Sequence, residues 1–169
     1  MLAPIRKTIE VPCSQRQAFQ VFVHEMSSWW PLGAFTTSAM TGLPARAIRI
    51  EAKPGGTIVE IAADGTEHLW GTITTYDPYT FVSMDFHIPL PDEQVASRSL
   101  VEVRFTVLGP KQTRVQLTQS RWEAFGQRAA MLQGGYGQGW NVIFEQAFKA
   151  ACSRVEQADD ETVEVHQRQ

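Results

Sequence analysis

The chain has little of what disulfide, metal and nucleic-acid sites require. It contains two cysteines in 169 residues, too few for a disulfide framework, and neither stands at a metal-ligand spacing from a histidine. We therefore interpret Cys13 and Cys152 as reduced, partly buried side chains, and we predict no metal site, no cofactor and no catalytic residue. The 15 Lys and Arg residues against 18 Asp and Glu residues are scattered without a basic run, which argues against nucleic-acid binding.

Long apolar runs are also absent. Nowhere do about 18 apolar residues follow one another, the length that a membrane-spanning helix needs, and Arg6, Lys7 and Glu10 occupy the place of a secretion signal's apolar segment. We expect a soluble, cytoplasmic protein. The length and the 43% apolar content predict one domain over residues 1–155 with a self-sufficient core. Residues 156–169 are polar and acidic, which predicts a disordered tail.

The apolar periodicity predicts a strand and a helix, then a series of strands, then a second helix. Residues 5–11 alternate as a strand does, and Ser14 with Gln17 forms a capping-box pattern that begins a helix. From residue 46 the period changes to two, which predicts an antiparallel meander. Its strands are predicted at residues 47–52, 57–62, 67–76, 81–87, 100–108 and 113–119. In two of them we place Val82, Met84 and Phe86, and Val101, Val103, Phe105 and Val107, on the apolar face.

Helical periodicity returns after Gly135. One stripe of about five turns is formed by Tyr136, Trp140, Ile143, Phe144, Ala147, Ala151 and Val155. The glycine-rich segment 134–139 resembles a phosphate loop in composition, but no parallel βαβ unit precedes it and no acidic residue follows at the expected spacing. We interpret this segment as a flexible hinge before the helix.

The ordered set of motifs resembles the START-like, helix-grip (SRPBCC) superfamily, specifically its branch related to the activator of the Hsp90 ATPase. The matching pieces are Ala18–Phe22, Trp29-Trp30-Pro31, Pro54-Gly55-Gly56, Asp64-Gly65 with Glu67, Trp70-Gly71, Asp77-Pro78, Val101–Phe105, Thr113–Val115 and Gly139-Trp140. This resemblance implies an α+β fold in which a curved antiparallel sheet of six to seven strands wraps around a long C-terminal helix, with a helical segment after the first strand. It also implies a hydrophobic cavity between sheet and helix. Relatives carry an acidic residue and a histidine after the strand that here reads Leu117-Thr118-Gln119-Ser120, so chemistry based on that pair is absent.

Asp85, His87 and His68 are the candidates for acid–base chemistry. Asp85 and His87 share a strand face at a spacing that could orient an imidazole. The opposite face of the same strand carries the apolar residues Val82, Met84 and Phe86, so Asp85 and His87 are predicted to face solvent. His68 is the best polar candidate for a pocket. Whether it faces the cavity stays open, because Leu69 and Ile73 compete with Trp70 for the inward face.

We predict that the protein binds an apolar or aromatic small molecule in this cavity. The candidate ligand-binding residues are Trp29, Trp30, Phe35, His68, Trp70, Met84, Phe86, Val103, Phe105, Leu117, Trp122, Tyr136, Trp140 and Phe144. Of these, Trp29, Trp30, Phe35 and Trp122 are expected nearest the mouth. The alternative is a protein-interaction module that regulates a chaperone ATPase, and a cyclase or hydrolase using His68 is the third hypothesis.

Overall fold

The first strand and helix form where the sequence predicts them, in a computed structural model that describes residues 2–94 and 97–155. Strand β1 covers Ile5–Val11 and helix α1 covers Gln15–His24. The predicted capping box is present: the Gln17 amide donates to Ser14 Oγ at 3.2 Å, and the Ser14 amide donates to Gln17 Oε1 at 3.1 Å. A short helix α2, Met26–Trp29, follows.

All seven strands belong to one antiparallel sheet. After a 3₁₀ turn at Ser38–Thr41, the remaining strands are β2 Ala47–Ile50, β3 Thr57–Ile61, β4 Glu67–Asp77, β5 Phe81–Phe86, β6 Ser99–Gly109 and β7 Gln112–Ser120. Their spatial order is β1-β7-β6-β5-β4-β3-β2, so the first strand closes beside the last. The sheet curls around the C-terminal helix, which confirms the predicted helix-grip architecture.

Strand β4 turns both Trp70 and Ile73 toward the core. They are three residues apart, which a regular strand of period two would place on opposite faces. The pairing of β4 with β3 shifts register between Ile58 and Val59, so one extra residue of β4 is accommodated as a bulge. Trp70 and Ile73 are 0% and 2% exposed, and Leu69 faces outward at 42%. The bulge therefore explains why Trp70 and Ile73 both face inward while Leu69 faces outward, which alternation alone could not predict.

The C-terminal helix begins earlier than predicted. A 3₁₀ segment, Trp122–Arg128, leads into helix α3, Ala129–Val142, which continues through a π-helical segment, Ile143–Phe148, and on to residue 155. The predicted hinge at 134–139 is therefore wrong, because these glycines lie inside α3. Each costs about 1 kcal/mol of helix propensity relative to Ala, but Gly139 lets the ring of Phe35 approach to within 3.6 Å of where a Cβ would lie.

The core fills the space between the sheet and the C-terminal helix. The predicted inward residues of β5 are buried, as are Val101, Val103 and Phe105 of β6, whereas Val107 is 57% exposed. The prediction that Val107 lies on the buried face was wrong. The C-terminal end of β6 extends beyond the core, and its pairing with β7 becomes irregular between Val107 and Gly109. The predicted tail, 156–169, lies outside the described residues.

Both cysteines are reduced thiols, as predicted, and both are buried. The pKa of the Cys152 thiol is raised, first by its hydrogen bond with Cys13 and then by burial, which disfavours the thiolate. Since the thiolate is the reactive form, Cys152 is poorly suited to act as a nucleophile.

Candidate functional site

An apolar cavity of about 310 Å³ opens between α3, residues 34–40 and residues 87–90. Its walls include the side chains of Phe35, Ile88, Leu132 and Ile143. We call this space the apolar cavity. It lies at one end of the C-terminal helix, beside the sheet, and it falls at the lower end of the range of roughly 300–1,000 Å³ found for small-molecule sites.

The rim of the apolar cavity carries exposed apolar side chains from three separate segments. Met40 is 51% exposed, Leu90 is 49% exposed and Met131 is 67% exposed, and all three line the cavity. Methionine side chains are flexible and polarizable, so they adapt to ligands of different shape. Clustered exposed apolar surface at the mouth of a cavity is typical of a binding site.

Two glycines keep the helix wall of the cavity open. Gly135 and Gly139 of α3 both line it, one turn apart on the same face of the helix. A Cβ built at Gly135 would meet no atom within 4 Å. The missing side chain at this position therefore contributes directly to the open volume.

A connected group of four polar side chains adjoins the otherwise apolar cavity, and three of them, His87, Tyr136 and Arg128, line it. His87 Nδ1 lies 2.9 Å from the Tyr136 hydroxyl, which also accepts a hydrogen bond from the Ile88 amide at 2.8 Å. On the other side of the ring, His87 Nε2 lies 2.9 Å from Glu93 Oε2, close in distance although not aligned as a hydrogen bond. Glu93 Oε1 in turn accepts a hydrogen bond from Arg128 at 3.1 Å. We call these four side chains, His87, Tyr136, Glu93 and Arg128, the polar cluster.

Burial shifts the pKa values of two side chains in the polar cluster, His87 and Tyr136. The pKa of His87 is lowered, chiefly because burial disfavours the imidazolium; Glu93 opposes this shift, and Arg128 adds to it. His87 is therefore neutral near pH 7. The pKa of Tyr136 is raised, again chiefly by burial, so its hydroxyl keeps its proton.

The prediction that His87 faces solvent is wrong. Its side chain is 4% exposed, since β5 ends at Phe86 and the next residue is covered by the ring of Phe125, 4.8 Å away. Asp85 is still in the strand and its side chain is 37% exposed. There it accepts hydrogen bonds from the amide and hydroxyl of Thr72, so the two residues do not act as a pair.

A fully buried glutamate anchors the segment that forms another wall of the cavity. Glu60 of β3 is 0% exposed. Its carboxylate accepts hydrogen bonds from the Thr37 amide at 2.7 Å, from the Ser38 amide at 2.8 Å and hydroxyl at 2.5 Å, and from Trp70 Nε1 at 3.1 Å. These contacts tie the 3₁₀ turn that carries Met40 to the sheet.

The structure divides the fourteen predicted ligand-binding residues among four places. Phe35 and Tyr136 lie on the wall of the apolar cavity. His68 lies in a different, more polar depression of about 480 Å³, beside Asp64 and Thr66. Trp122 belongs to a small cluster with Phe125 and Ala129. The remaining ten are packed in the main core: Trp29, Trp30, Trp70, Met84, Phe86, Val103, Phe105, Leu117, Trp140 and Phe144. That any of the fourteen contacts a ligand stays a prediction.

Sequence reasoning did not identify Glu60, Glu93 or Arg128 as site residues. Glu60 carried a detectable signal, because it lies two residues after Ile58 in β3 and so shares its inward face. A carboxylate on that face requires buried hydrogen-bond donors. Glu93 and Arg128 carried none, since their contact joins a loop to the start of the C-terminal helix across 35 residues.

Metal and membrane features are not seen in the part of the chain that the structure describes. Within residues 2–94 and 97–155, no three His, Cys, Asp or Glu residues form a group that could hold a metal ion. The helices within these ranges are all too short or too polar to cross a membrane.

The comparison with protein families identifies the fold's lineage. A family model described as Activator of Hsp90 ATPase homolog 1-like protein matches residues 13–152. The chain belongs to this family. The match includes helices α1, α2 and α3, strands β2 to β7 and the apolar cavity, and it confirms the predicted superfamily and branch. A comparison with curated proteins gives no match.

Solved structures share the fold and, in two cases, moderate sequence similarity. The chain is 27% identical to the anthrahydroquino-gamma-pyrone synthase Txn09, with a TM-score of 0.55, over 78% of this chain and 84% of that one. It is 26% identical to the self-sacrificing resistance protein CalC of Micromonospora echinospora, with a TM-score of 0.63, over 89% and 94%. A protein of Arthrobacter aurescens, 15% identical with a TM-score of 0.62 over 89% and 86%, shows the shared fold alone.

Proposed function

We propose that the protein binds an apolar or aromatic small molecule in the apolar cavity. The observation that carries this proposal is the exposed rim of Met40, Leu90 and Met131 around a cavity whose helix wall is opened by glycine. Exposed apolar surface has a cost in water, and a ligand that covers it recovers roughly 25 cal/mol for each Å² removed from solvent.

One of the similar solved structures supports an aromatic ligand class. This protein is named as the synthase of an anthrahydroquino-gamma-pyrone and was solved as a complex. A fused-ring compound of that kind is flat and largely apolar, with a few polar atoms at its edge. The apolar cavity offers matching chemistry, since apolar walls surround one polar cluster.

The other functions and the cellular location stay predictions. Regulation of a chaperone ATPase by contact with a chaperone is supported by the family description alone, and a cytoplasmic location stays an expectation from the sequence. An enzymatic role for His68 also stays a prediction, and it would use a different depression from the apolar cavity.

Replacing Gly135 by leucine is expected to block the apolar cavity without unfolding the protein. A side chain at Gly135 meets no atom within 4 Å of its Cβ, and leucine improves helix propensity by nearly 1 kcal/mol. We expect G135L to keep or raise the melting temperature and to weaken binding of the fluorescent probe 2-methoxynaphthalene at least about tenfold, a loss of about 1.4 kcal/mol.

Gly134 provides the matched control. It is the adjacent residue of α3, a Cβ there also meets no atom within 4 Å, and it does not line the apolar cavity. G134L should gain the same helix propensity and bind the probe as the wild type does. Equal affinity in both variants would place the probe elsewhere, and no binding to the wild type would refute the proposed function for this ligand class.

A further inference from the structure

We propose that the apolar cavity selects ligands that carry a hydroxyl group on an aromatic ring, because the Tyr136 hydroxyl is arranged to accept a hydrogen bond from such a ligand. This inference rests on the proposed function, and it specifies the class of ligand for the same site. It follows from the hydrogen-bond partners of three neighbouring groups on the cavity wall: Tyr136, His87 and Ile88.

The first step is the tautomer of His87. A carboxylate can only accept hydrogen bonds, and Glu93 Oε2 lies 2.9 Å from His87 Nε2. This contact is not aligned as a hydrogen bond, but a carboxylate oxygen at this distance stabilises a proton on the nitrogen beside it and repels a lone pair there, so the proton of the neutral ring belongs on Nε2. His87 Nδ1 is then left with a lone pair and must accept.

The second step is the direction of the Tyr136 hydroxyl. Since Nδ1 accepts, the 2.9 Å contact between Nδ1 and Tyr136 Oη is a bond that the tyrosine donates. The Ile88 amide donates to the same oxygen at 2.8 Å. A hydroxyl has one donor and two acceptor positions, so its donor and one acceptor position are used and a single acceptor position is left.

The third step is the consequence for a ligand. A ligand atom that reaches Tyr136 Oη can form a hydrogen bond only by donating, as a phenolic hydroxyl does. An ether or carbonyl oxygen at the same place would face lone pairs. Donation to His87 also polarises the Tyr136 oxygen and makes it a better acceptor, so the preference is built into the orientation of the cluster.

The charges around His87 favour this arrangement. From the loop after β5, the Glu93 carboxylate attracts the Nε2 proton. From the start of the C-terminal helix, Arg128 pairs with Glu93, and Arg98, on the chain leading into β6, disfavours a second proton on the ring, as Arg128 and burial do. The ring therefore stays neutral near pH 7. Because Arg128 already pairs with Glu93, this wall does not favour an anionic ligand.

The test compares three probes that differ at one position of the same ring system. Affinities of 2-naphthol, 2-methoxynaphthalene and naphthalene are measured by fluorescence near neutral pH with the wild type and with Tyr136→Phe. For the wild type we expect 2-naphthol to bind about tenfold more tightly than the other two, the effect of one hydrogen bond of about 1 to 1.5 kcal/mol. In Tyr136→Phe we expect the hydroxyl advantage to vanish while naphthalene still binds.

The outcomes separate this inference from the proposed function. Equal affinities of all three probes for the wild type would overturn the hydroxyl selectivity and leave apolar binding intact. Persistence of the advantage in Tyr136→Phe would overturn the role of Tyr136. Failure of every probe to bind the wild type would refute the proposed function itself. The comparison within the wild type decides the matter even if the variant does not fold.

Discussion

Replacing Glu60 by alanine is expected to destabilise the protein by about 3 to 5 kcal/mol, because it leaves several buried donors without an acceptor. The Thr37 amide, the Ser38 amide and hydroxyl, and Trp70 Nε1 all donate to this carboxylate. Trp70 is 0% exposed, so water cannot take over this bond without rearrangement of the core. Urea unfolding of the wild type and variant measures the loss.

Glu67 is the matched control for Glu60. It lies on the neighbouring strand and forms an ion pair with Arg49 in which both side chains are more than half exposed. Glu67→Ala should change the free energy of unfolding by less than about 1 kcal/mol, the usual range for exposed pairs. Hydrogen exchange adds a second readout, since E60A should expose the amides of residues 37 and 38 first. Similar losses in the two variants would contradict the anchoring role of Glu60.

Truncation of Trp140 to alanine is the second large expected effect, again about 3 to 5 kcal/mol. Its ring is 2% exposed and lies 5.9 Å from that of Trp30 and 6.0 Å from that of Phe86. Its Nε1 donates to Gln119 Oε1 at 2.8 Å, so truncation also leaves a buried amide oxygen without its donor. Domains of this size are stable by about 5 to 15 kcal/mol, so the variant should be marginal.

The same change distinguishes a core residue from one that lines a cavity. A tryptophan bordering an empty space has fewer packing contacts to lose, and Trp140 does not line the apolar cavity. Trp140→Phe should lose clearly less than Trp140→Ala because most of the ring is kept. Val142→Ala on the same helix, 37% exposed, should cost no more than about 0.5 kcal/mol. A small loss for Trp140→Ala would show that unfilled space adjoins this ring.

The fold could be predicted because its signals are local or periodic. The capping box of Ser14 and Gln17 and the alternation of β5, β6 and β7 each depend on residues close in sequence. The ordered motifs then selected one architecture among the antiparallel sheets that this alternation allows. The glycine-rich segment was predicted wrongly as a hinge, because its four glycines lie inside α3 despite their poor helix propensity.

The candidate site could be predicted only in part, because its geometry depends on distant contacts. Phe35 and Tyr136 were expected near a ligand and do line the apolar cavity. His87 was assigned to solvent by alternation, which cannot show that a strand ends one residue earlier and that Phe125 covers the next position. The volume between sheet and helix was also undetermined, since the aromatic side chains that could have lined a central cavity instead pack against one another.

The location of the bound probe tests the central claim most directly. Amide chemical shifts of isotopically labelled protein are recorded while 2-methoxynaphthalene is added. We expect the largest changes at residues on the wall of the apolar cavity, such as Phe35, Ile88, Gly135 and Gly139. Changes centred on the depression around Thr66 and His68, with the cavity wall unaffected, would contradict the account.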